Sequence, residues 1–241
     1  MALYAMSDLH LSFSCDKPMD VFGAGWQNYT ERIFENWTGT VKDNDLVIVG
    51  GDISWAMYLE DTYEDFQFLN SLPGKKLLLR GNHDYWWMSI AKMKAFFEGN
   101  GFDTVSFLQN DAVCFGDSLI AGTRGWLLPS NDGFGSTDRK IYERELIRLE
   151  LALEAMAKLE EKSEFEAKRR IAVFHYPPFD KDNIPDSRIT ELLSRYSVTD
   201  CLYGHLHGLA CKGAFNGKYG GINFALTSAD FLEFRPLNLD F

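Results

Sequence analysis

Leu77-Leu78-Leu79-Arg80-Gly81-Asn82-His83-Asp84 is an apolar run cut off by a glycine, then by an amide, an imidazole and a carboxylate in direct succession. The run reads as a buried strand. Packing alone gives no reason for such a polar cluster at its end. Open α/β sheets place their chemistry just beyond the carboxyl ends of buried strands.

The same event recurs along the chain. Leu3-Tyr4-Ala5-Met6 leads into Ser7-Asp8-Leu9-His10, and Leu46-Val47-Ile48-Val49 leads into Gly50-Gly51-Asp52. Later, Ile171-Ala172-Val173-Phe174 runs into His175, and Cys201-Leu202-Tyr203 into Gly204-His205-Leu206-His207. The chain has five histidines, His10, His83, His175, His205 and His207, and all of them fall at these strand ends.

At 241 residues the chain is long enough for one large core and short for two, so a single domain over residues 1–241 is expected. Thirty-five acidic against 24 basic residues leave a net charge of −11, which repels a phosphate backbone and argues against nucleic-acid partners. Cys15, Cys114, Cys201 and Cys211 form no C-x-x-C pair. With no basic leader ahead of the first strand, that pattern predicts a reducing, cytoplasmic location. No apolar stretch approaches the roughly 20 residues of a membrane span.

Between the strand ends, Ser12 to Gly25 reads as a long loop, followed by a short helix carrying Tyr29, Ile33 and Trp37 on one face. A helix is expected from Thr62 to Ser71, with Thr62-x-x-Asp65 resembling a capping box. Another, over Ser89 to Glu98, is expected to bury Ile90, Met93 and Phe97. Strands at 104–108, 112–115 and 118–121 precede a glycine-rich segment, Gly122 to Gly135, which can be a lid or a plain loop. The longest helix, about Thr137 to Lys162, carries the stripe Tyr142, Leu146, Leu149, Leu153 and Met156, and a helix of this length can also support a homodimer. A helix over Ser187 to Tyr196 and strand-like runs at Ile222 to Leu226 and Phe231 to Arg235 complete the chain. Strands alternating with helices and then crowding together predict an α/β architecture with more than one sheet layer.

His10, His175, His205, His207, Asp8, Asp52 and Asn82 form a hard-to-borderline donor set, suited to manganese, iron, zinc or magnesium in two adjacent sites. A carboxylate can bridge two ions, and Asp52, on a central strand, is the best placed to do so. Each motif taken singly has a plainer reading: Asp8-x-His10 as an Asx turn beside a surface histidine, His175 as a hydrogen-bonded loop residue. His205 and His207, one residue apart in extended backbone, are expected to point to one side. It is the five together, in order, that point to metal chemistry.

On these residues the chain resembles the calcineurin-like metallophosphoesterase superfamily, whose pattern Asp-x-His, Gly-Asp, Gly-Asn-His-Asp/Glu, His and Gly-His-x-His is met by Asp8/His10, Gly51/Asp52, Gly81 to Asp84, His175 and Gly204 to His207. Within it, the chain is similar to bacterial predicted phosphohydrolases of unassigned substrate. The resemblance implies two facing mixed β-sheets flanked by helices, an αββα sandwich. It also implies that Asp8, His10, Asp52 and His207 hold one ion and that Asp52, Asn82, His175 and His205 hold the second. His83 is then the general acid or charge stabiliser at the leaving oxygen, with Asp84 orienting its ring. Protein Ser/Thr phosphatases of the superfamily carry an arginine after the second motif, but here that motif continues Ile53-Ser54-Trp55. Arg80 and Arg124 are candidate replacements, with a surface or structural role open for each.

The function expected is a dinuclear-metal hydrolase of a small phosphodiester or phosphomonoester, nucleotides included. A nuclease and a non-catalytic metal-binding scaffold of the same fold are the alternatives. Trp55, Trp86 and Tyr176, each close to a ligand motif, are candidate walls of the substrate pocket.

Overall fold

The computed structural model describes residues 1–163 and 166–239. In chain order its elements are β1 (Leu3–Met6), α1 (Tyr29–Thr38), β2 (Leu46–Val49), α2 (Tyr63–Ser71), β3 (Lys75–Leu79), α3 (Ile90–Gly99), β4 (Val105–Leu108), β5 (Ala112–Phe115), β6 (Ser118–Gly122), α4 (Ser136–Ser163), β7 (Arg169–Val173), α5 (Ser187–Arg195), β8 (Asp200–Tyr203), β9 (Gly217–Tyr219), β10 (Ile222–Leu226) and β11 (Leu237–Asn238). The chain divides into two compact units, Met1–Phe107 with the segment from Ser228 onward, and Leu108–Thr227. Each unit holds one mixed sheet with helices packed on it.

In the first unit the strand order is β11-β1-β2-β3-β4. β1, β2 and β3 run parallel in a register that sets Leu3 beside Leu46 and Leu46 beside Lys75. Every residue of β1 and β2 is buried, the signature of strands covered on both faces. Parallel neighbours need crossover connections, supplied by α1 and α2. α1 lays Tyr29, Ile33 and Trp37 on the core, as their spacing predicts, and the Trp37 indole donates to the Pro73 carbonyl at 2.9 Å. β11 closes the edge, antiparallel to β1.

The second unit orders its strands β5-β6-β7-β8-β10-β9. β6, β7, β8 and β10 are parallel, and the outer hairpin partners β5 and β9 are antiparallel. α4 buries Tyr142, Leu146, Leu149, Leu153 and Met156, the whole expected stripe, while Ile147 and Leu151 on another face are exposed. α5 is capped by Asp186, whose carboxylate accepts from the Arg188 and Ile189 amides.

Four local expectations differ from the structure. The Thr62-x-x-Asp65 capping box does not form. Thr62 ends a 3-10 turn over Leu59–Thr62 and donates its hydroxyl to the Leu59 carbonyl, while Asp65 is drawn away to Phe13 and Ser54. Phe231 to Arg235 is a turn, because Glu233 and Phe234 adopt φ of 52° and 60° and the Phe234 amide closes on the Ala229 carbonyl at 2.7 Å. The loop from Ser12 to Gly25 contains 3-10 turns at Met19–Phe22 and Ala24–Trp26, and on α3 it is Met93 and Phe97 that are buried, with Ile90 only half-buried.

Candidate metal centre

In the first unit the ends of β1 and β2 travel together beyond the sheet. Asp8 N–H donates to the Gly51 carbonyl at 2.8 Å, His10 N–H to Asp52 at 3.0 Å and Leu11 N–H to Ile53 at 2.9 Å. Leu9 and Leu11 are fully buried and anchor this segment, which carries Asp8 and His10 with them. Asp8, His10 and Asp52 all sit at positive φ, 60°, 47° and 52°. Such conformations cost non-glycine residues about 1–3 kcal/mol each and persist where the surroundings over-determine them, typically at functional sites.

Asp52 is the hub of this half. One carboxylate oxygen accepts the His83 backbone N–H at 2.8 Å, and the other lies 3.8 Å from His10 Nε2 and 4.0 Å from His83 Nε2. Gly81 makes room for it, since a Cβ at that position would sit 2.1 Å from Asp52 Oδ1. A carboxylate oxygen of Asp8 and a ring nitrogen of His10 are within 4.8 Å of each other. Trp55 braces both imidazoles, stacked on His10 with centroids 4.9 Å apart and tilted against His83 at 4.4 Å.

Asp84 serves the site in a way other than expected. Instead of orienting the His83 ring, its buried carboxylate gathers backbone N–H groups: Asp52 at 2.9 Å and Gly81 at 2.7 Å on one oxygen, Ile53 at 2.9 Å and Ser54 at 3.3 Å on the other. The Trp86 indole adds a further donor at 3.0 Å. Asp84 thus ties the loop after β2 to the loop after β3, fixing Asp52 against Asn82 and His83. Burial pushes its carboxyl pKa up and the N–H donors pull it down, burial being the larger influence. Trp86, fully buried, is a structural donor to Asp84 and does not wall a pocket. Arg80 is half-buried with its Nε atom enclosed and, among the described residues, without a hydrogen-bond partner.

A second brace was not visible in the sequence. Asp65, on the first turn of α2, accepts the Phe13 amide at 2.8 Å and a hydrogen bond from the Ser54 hydroxyl, joining the loop after β1 to the loop after β2. Burial lifts its pKa to about 6.

In the second unit, His175 leaves β7 fully buried, and its amide and that of Tyr176 both donate to the Arg124 carbonyl at 3.0 Å. The Gly204 amide donates back to the His175 carbonyl at 3.1 Å, which aligns the ends of β7 and β8. His175 and His205 rings lie 5.1 Å apart, with ring nitrogens within 4.8 Å. His205 has φ of 72°, so His205-Leu206-His207 is not one extended run. His207 has extended backbone and precedes the 3-10 turn Gly208–Gly213. Tyr176 is buried with its ring 4.3 Å from that of His205, and the Arg124 guanidinium rests 4.6 Å from the Trp126 ring.

Residues 1–209 match the calcineurin-like phosphoesterase family. The chain belongs to that family of metal-dependent phosphoester hydrolases. Among solved structures, it is similar to a phosphopantetheinyl hydrolase of Mycobacterium tuberculosis, with 16% identity, 99% of this chain and 95% of that chain covered and a TM-score of 0.57. A protein of Thermus thermophilus aligns at 12% identity, 98% and 96% coverage and a TM-score of 0.54. The anchor in the inner membrane complex of Plasmodium aligns at 12% identity, 95% and 72% coverage and a TM-score of 0.53. At these identities the likeness is one of fold. No curated protein matches the chain. Among the described residues, no helix is long and apolar enough to cross a membrane.

The donors in each unit suit the divalent ions that the family implies. Atoms coordinated to one ion at about 2.1 Å stand roughly 3–4 Å apart. The 3.8 Å between His10 Nε2 and the Asp52 carboxylate has that spacing. Buried imidazoles beside buried carboxylates supply borderline and hard ligands together.

Proposed function

We propose that this chain hydrolyses a small phosphomonoester or phosphodiester at a dinuclear metal centre, and that its two units work as one catalytic domain. The family match running from residue 1 to 209, through both units, supports that reading. By the family pattern, Asp8, His10, Asp52 and His207 hold one ion and Asp52, Asn82, His175 and His205 the other, with manganese, iron, zinc or magnesium as the metals. Paired ions supply Lewis-acid charge and a water acidic enough to attack phosphorus.

The observation that carries the proposal is the state of Asp52, a 2% exposed carboxylate with one oxygen tied to the His83 amide and the other turned toward His10 and His83 Nε2. A carboxylate this buried, with imidazole at 3.8 Å, is arranged to be neutralised by cations. His83, 34% exposed, is the accessible imidazole of this half, and its Nδ1 is buried. Nε2 is therefore the atom that delivers a proton to the leaving oxygen. Asp84 acts by accepting hydrogen bonds from backbone N–H groups and the Trp86 indole, holding Asp52 and Gly81 in register, and is a positioning residue. Arg80 and Arg124 are the candidate phosphate contacts.

The phosphopantetheinyl hydrolase among the solved structures carries a name in keeping with a small organic phosphoester. The test is hydrolysis of bis-p-nitrophenyl phosphate and p-nitrophenyl phosphate by chelated protein reloaded with each metal, alongside metal content per chain. Turnover should follow added metal and vanish in Asp52→Asn. Protein that binds no metal would refute the proposal.

A further inference from the structure

The second unit contains a pocket of about 310 Å³, at the lower end of the range for small-molecule sites. His205, assigned above to a metal, forms part of its wall. The rest is largely apolar: Trp126, Tyr176, Phe179, Leu206, Leu209 and Phe215. The aromatic members hold one another in place, Trp126 against Tyr176 at 5.2 Å and Phe179 stacked on Phe215 at 4.3 Å with an interplanar angle of 20°. Tyr176 continues directly onto the His205 ring at 4.3 Å. The apolar space therefore begins where the phosphate chemistry is proposed to occur.

The charged groups of the lining are already engaged. Lys181 pairs with Asp132 at 2.8 Å, and Asp180 accepts the Asp182 and Ile184 amides at 2.9 Å each. The Lys181–Asp132 pair is a surface pair, 67% and 88% exposed, and with Asp180 these charged groups sum to one net negative charge. An anionic group entering this space meets that charge and loses water against the apolar walls.

We infer that this pocket holds the organic group of the phosphoester and selects an uncharged, ring-bearing group over a small alkyl or an anionic one. This rests on the metal-centre reading above, because His205 is what links pocket to phosphate. The pocket disfavours nucleoside polyphosphates and sugar bisphosphates as substrates. Their additional phosphates would have to lie beside Asp180 and a lysine whose charge Asp132 balances.

The experiment is calorimetric titration of metal-reloaded protein with phosphonates, which share the phosphate-like head and are not hydrolysed. Methylphosphonate reports the metal centre alone, phenylphosphonate adds the ring, and 4-carboxyphenylphosphonate adds an anion to that ring. Burying a phenyl ring should tighten binding about tenfold to a hundredfold over methylphosphonate, with the carboxylated compound losing that gain. Leu209→Asp, at an 81% exposed position where the fold is not at stake, should erase the advantage of the ring, read as the ratio of phenylphosphonate to methylphosphonate affinity on the same variant. Phe215→Ala should act in the same direction. Equal affinity for the methyl and phenyl compounds, or a ring advantage untouched by both substitutions, overturns the pocket assignment while leaving the metal centre standing. Binding of none of the three refutes the metal-centre reading, and this inference with it.

Discussion

Gly81 and Asp52, 29 positions apart, compete for the same space: a Cβ on Gly81 would lie 2.1 Å from Asp52 Oδ1 and 2.2 Å from its backbone nitrogen. Neither atom can yield freely, since that oxygen holds the His83 amide and that nitrogen donates to Asp84. Gly81→Ala should therefore displace Asp52, lowering stability by about 1–3 kcal/mol as an overpacked site does and weakening metal binding by about tenfold or more. Gly99→Ala, where a Cβ meets nothing within 4 Å at the end of α3, is the matched control and should be neutral or slightly stabilising. Urea unfolding and metal titration of the two variants side by side test this. Equal behaviour would mean that the loop after β3 accommodates a side chain.

Asp84→Asn separates positioning from proton transfer. The carboxylate offers both oxygens to N–H donors, whereas an amide must turn its NH₂ either to the Asp52 and Gly81 amides or to those of Ile53, Ser54 and the Trp86 indole. In either rotamer buried donors are left facing a donor, at roughly 1–3 kcal/mol each. The expected outcome is a loss of about 3 kcal/mol in stability together with weakened metal affinity. Because Asp84 does not exchange protons with substrate in this reading, the pH profile of kcat should keep its shape. A changed profile with unchanged metal affinity would return Asp84 to the role of orienting His83.

The candidate ligand motifs were legible because their logic is local. An apolar run of four or five residues that ends in Asp, His or Asn announces a strand and its functional end within one window, as with Met6 to His10 and Leu79 to Asp84. What could not be read depends on distant partners. Asp65 looks like a capping residue until Phe13 and Ser54 claim its oxygens, and Trp86 looks like a pocket wall until Asp84 claims its indole. Phe231 to Arg235 reads as a strand-like run, yet two left-handed residues fold it back on Ala229. The apolar pocket is assembled from segments spread over residues 126–215, and no single window contains it.

Metal removal should be felt as stability. Asp8 and Asp52 are buried carboxylates beside His10, and a cation that binds only the folded chain adds RT ln(1 + [L]/Kd), about 2.7 kcal/mol at a free concentration a hundred times Kd. Chelated protein should melt several degrees lower, recover on reloading, and show a smaller recovery in Asp52→Asn, where a shared ligand is weakened. Differential scanning calorimetry across a metal titration measures it. A melting temperature indifferent to metal would mean that no ion is held by these residues.

Asp65 gives the pH dependence its sign. Burial raises its folded pKa from the ordinary aspartate value of 3.8 to about 6, so the folded chain keeps a proton that the unfolded chain has already released. The contribution is complete below about pH 4, is lost as pH rises toward 6, and stays lost above it, a swing of about 3 kcal/mol. Asp65→Asn keeps an acceptor for the Phe13 amide and a polar partner for Ser54 without titrating. Other carboxylates contribute equally to both proteins, so the stability of wild type minus that of the variant isolates this group. That difference, measured by urea unfolding in the presence of chelator, should fall by about 3 kcal/mol between about pH 4 and pH 7, the loss lying in the wild type alone. A difference that stays level across the window would show that Asp65 ionises as freely in the folded chain as in the unfolded one, and that its bond to Ser54 is made by a carboxylate.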